Sequence, residues 1–597
     1  MGAIAVFLSA LHDDPGVVAT RMIDAAPHRG TEVQTLVLGR CAMAARTGNH
    51  AEPDAWVGVH DGLAVAFTGS LDNAVDLARD LWPDGSGHAA AGGSIDIAKL
   101  LAAGFHRFGA ELPARMRGVF AAGISDGRSV LCFRDHIGYR PLFFREDASG
   151  FMAASEAKQV VAGASLPRQP DLDVVERIFY RDVDDEMPAS LVGVRRLPKS
   201  TTVRSEEGAT TLSRYWQPEA LLESATYRQA EIAEHFTRLM DQAVSRVLTG
   251  RDAISLSGGI DSPAIAAFAA PRHRAMAGRE LQAISAVYPR YPSVDESRYV
   301  EILARAFSIP LHTYELSANA LDDIERWVGL ADTPWPGAAL AQYEESYVHA
   351  RNLGARRVLT GEHAEFVAAM QWYTLEHYLL RGRWSPARRE LAERRTRGWT
   401  WWALTRLVIR SLMPHRVMAA RNSIGARTRP AVVPDWIDRR RAADTDVPRV
   451  RDRWRRSQLV GFIGPGISLE AEEVCQDVSG VVSRKPWTDV DLWEFFLSIP
   501  AEQKFPDLRP KGLVRDLLRG RVPDEILDRR DKTVFDEAHM AEVDYAALRR
   551  LLGAPKHRLG GVDYGRLATL LESERFTTLD YRWARNLAVA QAFLAQW

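Results

Sequence analysis

The stretch Ala253–Ala264 reads AISLSGGIDSPA. A β-prone run through Ala253, Ile254 and Leu256 meets Ser257-Gly258-Gly259, then Asp261-Ser262, then the helix-prone Ala264–Phe268. Strand, glycine turn and helix start, in that order, make an anion site. Glycines admit a close phosphate, and the N–H groups of a new helix point at it with the positive end of the dipole. Ser257 and Ser262 add hydroxyls, and Asp261 is placed to hold the Mg2+ that accompanies a nucleoside triphosphate. The spacing is neither GxxxxGK[ST] nor GxGxxG.

Outward from this loop, an amphipathic pattern over Tyr227–Leu248 precedes it, with Ile232, Phe236, Leu239, Met240 and Val244 on one face. Leu281–Val287 and Ile309–Tyr314 read as further strands, and Arg357–Glu365 as a strand with its exit loop. This β–α alternation predicts a parallel sheet covered by helices, with ligands beyond the C-terminal strand ends. Val287, at one such end, is a candidate for the adenine or for plain strand core.

With 597 residues the chain is too long for one core. A net charge of −1 gives no whole-molecule argument for nucleic acid or a membrane. Cys41, Cys132 and Cys475 form no CxxC pair, which argues against a zinc site or a disulfide framework and suits a reducing cytoplasm. The first residues, MGAIAVFLSALHDD, lack a basic n-region, and no apolar run reaches a membrane span. A soluble cytoplasmic protein without stable membrane insertion is expected.

SGGxDS resembles the pyrophosphate loop of ATP-pyrophosphatases, and the flanking chain extends the likeness. His28-Arg29-Gly30, Phe67–Asn73, Arg117–Ala121, Arg134–Phe143, Ala154–Lys158 and Gly193–Pro198 follow one another as in the glutaminase domain of class B asparagine synthetases. Arg214–Pro218 resembles that family's link into the synthetase domain, and Ser483–Asp491 its SR-x-P-F-x-D phrase. The resemblance implies an α/β protein of two parts. Residues 1–215 would form an Ntn-type, glutaminase-like layered-sheet domain. Residues 216–597 would form an ATP-pyrophosphatase (adenine nucleotide α-hydrolase-like) parallel-sheet domain with a helical insertion at about 370–480.

It also implies site residues. Leu256, Ser257, Gly258, Gly259, Asp261, Ser262, Val287 and Gly361 would meet ATP, and Asp261 and Glu365 would hold Mg2+. Glu362 would act near the incoming nucleophile, and Lys532 would face the reacting centre to offset developing charge. Thr360–Glu365 resembles the family's SGEGSDE segment in weakened form, with Glu365 in place of Asp and Phe366 in place of the next acid. His312 and His363 read as structural residues.

Departures from the family pattern carry the functional expectation. An active glutaminase of this type needs a cysteine after the initiator Met, and position 2 is Gly2. The oxyanion Asn-Gly pair is Thr68-Gly69, and the glutamine-binding Asp falls at Ser94. Glutamine hydrolysis is expected to be lost, so another amine must attack the activated carboxyl. Two subfamilies without the cysteine fit: lasso peptide cyclases and β-lactam synthetases.

Arg381–Arg456 holds 21 arginines against 7 acids, with Trp372, Trp384, Trp399, Trp401, Trp402, Trp436 and Trp454 in or near it. A nucleic-acid surface, an amphipathic membrane-surface helix over Trp399–Met413, a peptide groove and a solvated basic face all suit this composition. A peptide substrate is favoured, because free aspartate needs only a small pocket. Glu362 also lacks the Tyr that β-lactam synthetases have at that position. The expectation is a macrolactam synthetase acting on a precursor peptide, with a leader peptidase and a leader-recognition protein as partners and no nucleic acid. A β-lactam-type cyclase, a glutamine-independent amide ligase and a nucleotide-binding regulatory relative remain alternatives.

Overall fold

The computed structural model describes all residues except 1, 11–13, 49–53, 84–94, 185, 336–338, 369–370, 415–416, 418–432, 440, 442–452, 460–466, 530–532 and 534. Lys532 and Ser94 therefore lie outside the described residues.

Among the described residues, twelve strands build the first part: β1 (Ala3–Ser9), β2 (Glu32–Leu38), β3 (Cys41–Thr47), β4 (Ala55–His60), β5 (Leu63–Leu71), β6 (Gly118–Ser125), β7 (Ser129–Arg134), β8 (Phe143–Asp147), β9 (Gly150–Ala154), β10 (Arg195–Arg196), β11 (Thr201–Glu206) and β12 (Ala209–Arg214). They form two six-stranded sheets, in the orders β10-β8-β9-β1-β3-β2 and β12-β11-β7-β6-β5-β4. Every pairing in both is antiparallel. Ile4, Val6, Met43, Ala64, Ala121 and Val203 meet between the sheets. The outer faces carry helices, Pro15–Asp24 and Ala157–Gly163 on one and Ile97–Phe108 on the other. This is the layered arrangement that alternating apolar faces require.

The second part is built on a five-stranded sheet, β13 (Asp252–Ser255), β14 (Gln282–Val287), β15 (Leu311–Glu315), β16 (Arg357–Leu359) and β17 (Val482–Arg484), in the order β15-β14-β13-β16-β17. All four pairings are parallel. The direction of winding reverses between β13 and β16, so the crevice for a ligand opens beyond their C-terminal ends. The Asp261–Ala277 helix starts there, with Pro263 in its first turn and left-handed Gly278 closing its last. Its buried faces pack into a core with Ile232, Phe236, Leu303 and Phe496.

The two parts share apolar core. Ala5, Met22, Val160 and Phe179 of the first cluster with Trp436, Leu587, Val589 and Phe593 of the second, so the Thr578–Leu594 helix packs back across the sandwich. Between the parts runs the Ile467–Ser479 helix, which presents Glu470, Glu473 and Asp477 to the first domain. Arg196 takes Glu470 at 2.7 Å, Arg29 takes Glu473 at 3.0 Å and Asp477 at 2.7 Å, and Arg140 also pairs with Glu473.

The described parts of the insertion are helical, at Thr374–Leu380, Trp384–Thr396, Trp401–Leu412 and Arg453–Gln458. Its tryptophans divide into two groups. Trp436 and Trp454 are core residues, the latter stacked on His377 with ring centroids 3.8 Å apart. Trp372, Trp384, Trp399, Trp401 and Trp402 are exposed.

Candidate nucleotide and acyl-transfer site

The loop after β13 is held at both ends. The Leu256 N–H donates to the Ile284 carbonyl at 2.9 Å, keeping the loop start on the sheet. The Leu256 side chain is only 2% exposed and belongs to the core, so its backbone alone is available to a nucleotide. The Ser257 N–H donates to Ser262 Oγ at 2.9 Å, and the two hydroxyls lie 3.1 Å apart. The Gly258 N–H donates to the Glu296 carboxylate at 2.8 Å, while Arg529 donates to the Gly258 carbonyl at 2.8 Å and to Glu296 at 2.9 Å.

Close approach, not left-handed backbone, makes the glycines necessary. A Cβ on Gly258 would sit 2.8 Å from Tyr299 Cβ. One on Gly361 would sit 2.5 Å from the Ser262 nitrogen, because the exit of β16 passes against the helix start. A Cβ on Gly259 would meet only Ser257 Oγ, at 3.5 Å, so Gly259 is the open side of the loop.

A cleft opens where β13 and β16 end. Ser257, Asp261, Ser262, Gly361, Glu362 and Glu365 line it, together with Tyr343 and Tyr347 from the Leu340–Asn352 helix. The structure thus brings together both serines and all three acids singled out in the sequence. Val287 ends β14, beside β13, half-buried and outside the lining of this cleft.

Asp261 is paired through both carboxylate oxygens with Lys511. Desolvation raises the Glu365 carboxyl above its ordinary range, and the Asp261 and Glu362 carboxylates add to the rise while Lys511 opposes it. Among the described residues no group of three or more His, Cys, Asp or Glu is arranged to hold a metal. Asp261 and Glu365 nevertheless suit Mg2+, which takes one or two carboxylates and fills its shell with phosphate oxygens and water.

Glu362 anchors a buried charged chain that extends away from the loop. The Tyr343 hydroxyl donates to it at 2.9 Å, and Lys485, just past the end of β17, pairs with it. Lys485 also pairs with Glu472, to which the Tyr347 hydroxyl donates at 2.6 Å. Burial pushes the Glu362 carboxyl up, but the Lys485 ammonium outweighs burial and leaves it below its usual value. Glu472, deeper, ends above its usual value because burial dominates. Burial works against the Lys485 charge, and the Glu362 and Glu472 carboxylates overcome it, holding its pKa well up. His363 is driven to about 3 by burial and by Lys485, so it is neutral near pH 7.

Lys485, Glu472 and Tyr343 were not singled out in the sequence. For Lys485 a signal existed: it fills the open position of the Ser483–Asp491 phrase, directly after a strand that ends at the cleft.

The start of β1, where a glutaminase nucleophile would sit, is closed. A Cβ on Gly2 would lie 2.5 Å from both Ala55 Cβ and the Arg46 carbonyl. The Gly2 N–H is taken by Asp54 at 2.7 Å, and its carbonyl by Thr68 Oγ1 at 2.8 Å. Arg140 donates to Thr68 Oγ1 at 2.7 Å while also pairing with Glu473. The three cysteines are free and buried, and burial raises each thiol, Cys41 to about 12.

An antiparallel double-sheet domain is joined here to a parallel sheet that carries a glycine loop and a cleft carboxylate. The chain belongs to the asparagine synthase family: that family's model matches residues 235–597, and the glutamine amidotransferase domain model matches 1–216. Asparagine synthetase homologues are ATP-dependent, amide-forming ligases. The chain is 22% identical over 502 residues to "Asparagine synthetase [glutamine-hydrolyzing] 3" of Bacillus subtilis, covering 81% of this chain and 76% of that one. It is 28% identical over 219 residues to a "Putative asparagine synthetase [glutamine-hydrolyzing]" of Mycobacterium tuberculosis, covering 35% of this chain and a third (33%) of that relative. A solved glutamine phosphoribosylpyrophosphate amidotransferase from B. subtilis matches at 12% identity and a TM-score of 0.27, over 60% of this chain and 81% of that one.

Proposed function

We propose that this protein closes a macrolactam of the lasso-peptide type. ATP activates an Asp or Glu side-chain carboxyl of a precursor peptide as an acyl-adenylate, with loss of pyrophosphate. The peptide's own N-terminal amine then attacks, giving a ring amide and AMP. The observation that carries this reading is a glycine loop and cleft carboxylate in a chain whose first strand has no room at its start for a nucleophilic side chain. Without glutamine as the nitrogen source, an amine and a carboxyl from one molecule react at the advantage of an intramolecular step.

The chain's own groups have definable parts in this scheme. The Gly259 side of the loop and the Ser257 and Ser262 hydroxyls receive phosphate oxygens. Asp261 and Glu365 would hold Mg2+, which supplies charge neutralisation on the phosphates. Glu362, kept ionised by Lys485, accepts the proton released when the amine adds to the acyl carbon, with Tyr343 orienting it. Lys532 is proposed as the cation facing the reacting centre. A leader peptidase and a leader-recognition protein would deliver the substrate in the cytoplasm.

The test is pyrophosphate release with ATP and Mg2+ from three candidate substrates: glutamine plus aspartate, a small carboxylated β-amino acid, and a leader-free peptide with an internal Asp or Glu. Release with the peptide alone supports the proposal. Release with the small amino acid replaces it with a β-lactam-type cyclisation. ATP binding without turnover of any of the three, when the partner proteins are also supplied, replaces it with a regulatory role.

A further inference from the structure

The Trp401–Leu412 helix has two apolar faces. One packs inward: Leu404 is buried, and Leu407 and Val408 lie against Leu375, Tyr378 and Leu379. The other faces solvent. At about 100° per residue, Trp401, Leu412, Ile409 and Trp402 fall within one arc of about a quarter turn. They are 70%, 48%, 54% and 68% exposed. Thr405 falls inside this arc; Arg406 lies about 40° beyond its Trp402 edge and Arg410 about 80° beyond, both exposed and without an ion pair among the described residues. Arg406 lies over the Trp402 ring at 5.8 Å and Arg395 over Trp401 at 5.7 Å.

A partner must match both chemistries. Indole rings, aliphatic tips and flanking arginines on the convex side of a helix suit a bilayer interface, where rings sit at headgroup depth and guanidinium groups meet phosphates. Charge favours the same partner. Residues 401–412 carry two arginines and no acid, so the helix attracts anionic lipid. The cavity in this subdomain lined by Thr374, Tyr378, Glu390 and Phe505 takes no residue from 401–412, so that cavity and the exposed arc are separate features. Crossing the bilayer is not required: no helix among the described residues is long and apolar enough for that.

We propose that the Trp401–Leu412 helix docks this protein on anionic lipid headgroups, lying in the plane of the bilayer surface. The test is flotation of the full chain with phosphatidylcholine vesicles, with or without phosphatidylglycerol. Recovery is expected with the phosphatidylglycerol vesicles and to decline as salt is raised. W401S/W402S should lower that recovery roughly tenfold. R406E/R410E should abolish the preference for phosphatidylglycerol. All four side chains are exposed, so both variants should keep the wild-type circular dichroism and pyrophosphate release with soluble substrate. No flotation with either vesicle, or undiminished flotation in both variants, overturns the proposal. A Trp401-dependent dimer, or a complex with a soluble acidic peptide, in the absence of flotation also overturns it.

Discussion

Lys485→Met removes the cation that links Glu362 to Glu472. The Lys485 side chain is fully buried and the Glu472 side chain 6% exposed, so the variant leaves Glu472 as a charge without its counter-ion. Breaking a buried pair from one side costs about 3–5 kcal/mol. Part of that cost is avoided when Glu472 takes a proton, to which its raised pKa already disposes it. Glu362 is the functional readout. Its pKa is held below the ordinary value in the folded protein, so its ionised form contributes stability above the unfolded pKa and loses it as pH falls through the folded one. With Lys485 gone, His363 and the Tyr343 hydroxyl bond still favour the ionised form, but the largest opposition to burial is lost and the Glu362 pKa rises. The acid limb of kcat for ring-amide formation should therefore move to higher pH, and kcat near neutral pH should fall by roughly a hundredfold or more. K485M/E472Q should regain much of the thermal stability while keeping the displaced limb. A wild-type pH profile in K485M, whatever its stability, would refute the role given to Lys485.

Three further outcomes follow from geometry. Gly2→Cys should not create glutaminase activity, because its Cβ overlaps Ala55 and Arg46; a loss of about 1–3 kcal/mol is expected by thermal melting, with no glutamate released from glutamine. Gly361→Ala drives a methyl against the Ser262 nitrogen, so ATP binding measured by calorimetry should weaken by tenfold or more while the far-ultraviolet circular dichroism is kept. Arg140→Met leaves Glu473 without one of its two arginines and Thr68 without a donor; it should lower the melting temperature more than Arg168→Met, whose partner Asp332 keeps its contact with Lys158.

The strand–turn–helix geometry of the glycine loop was legible because it is local: Ser257, Ser262 and Asp261 lie within six consecutive residues, and the strand and helix around them fix their directions. Glu362 and Glu365 were legible for the same reason, one strand exit later. Tyr343 reaches the cleft, and Glu472 the buried Lys485 behind it, from helices far apart in the chain, and no spacing announces that they join one charged chain. Gly2 was read correctly as lacking a thiol, but the crowding that forbids any side chain there depends on Asp54, Ala55 and Arg46 folding over it. In the insertion, composition alone could not separate Trp436 and Trp454, which fill cores, from Trp401 and Trp402, which face solvent. An amphipathic helix over Trp399–Met413 was among the sequence readings, but which of its apolar residues stay exposed depends on how Leu404, Leu407 and Val408 pack.

The source of the amide nitrogen tests the central claim most directly. A leader-free peptide carrying heavy nitrogen at its N-terminus, incubated with the protein, ATP, Mg2+ and unlabelled glutamine, should lose one water and retain the heavy nitrogen in a new amide to its own Asp or Glu, as read by tandem mass spectrometry. Conversion of that Asp or Glu to an open-chain Asn or Gln carrying unlabelled nitrogen would contradict it.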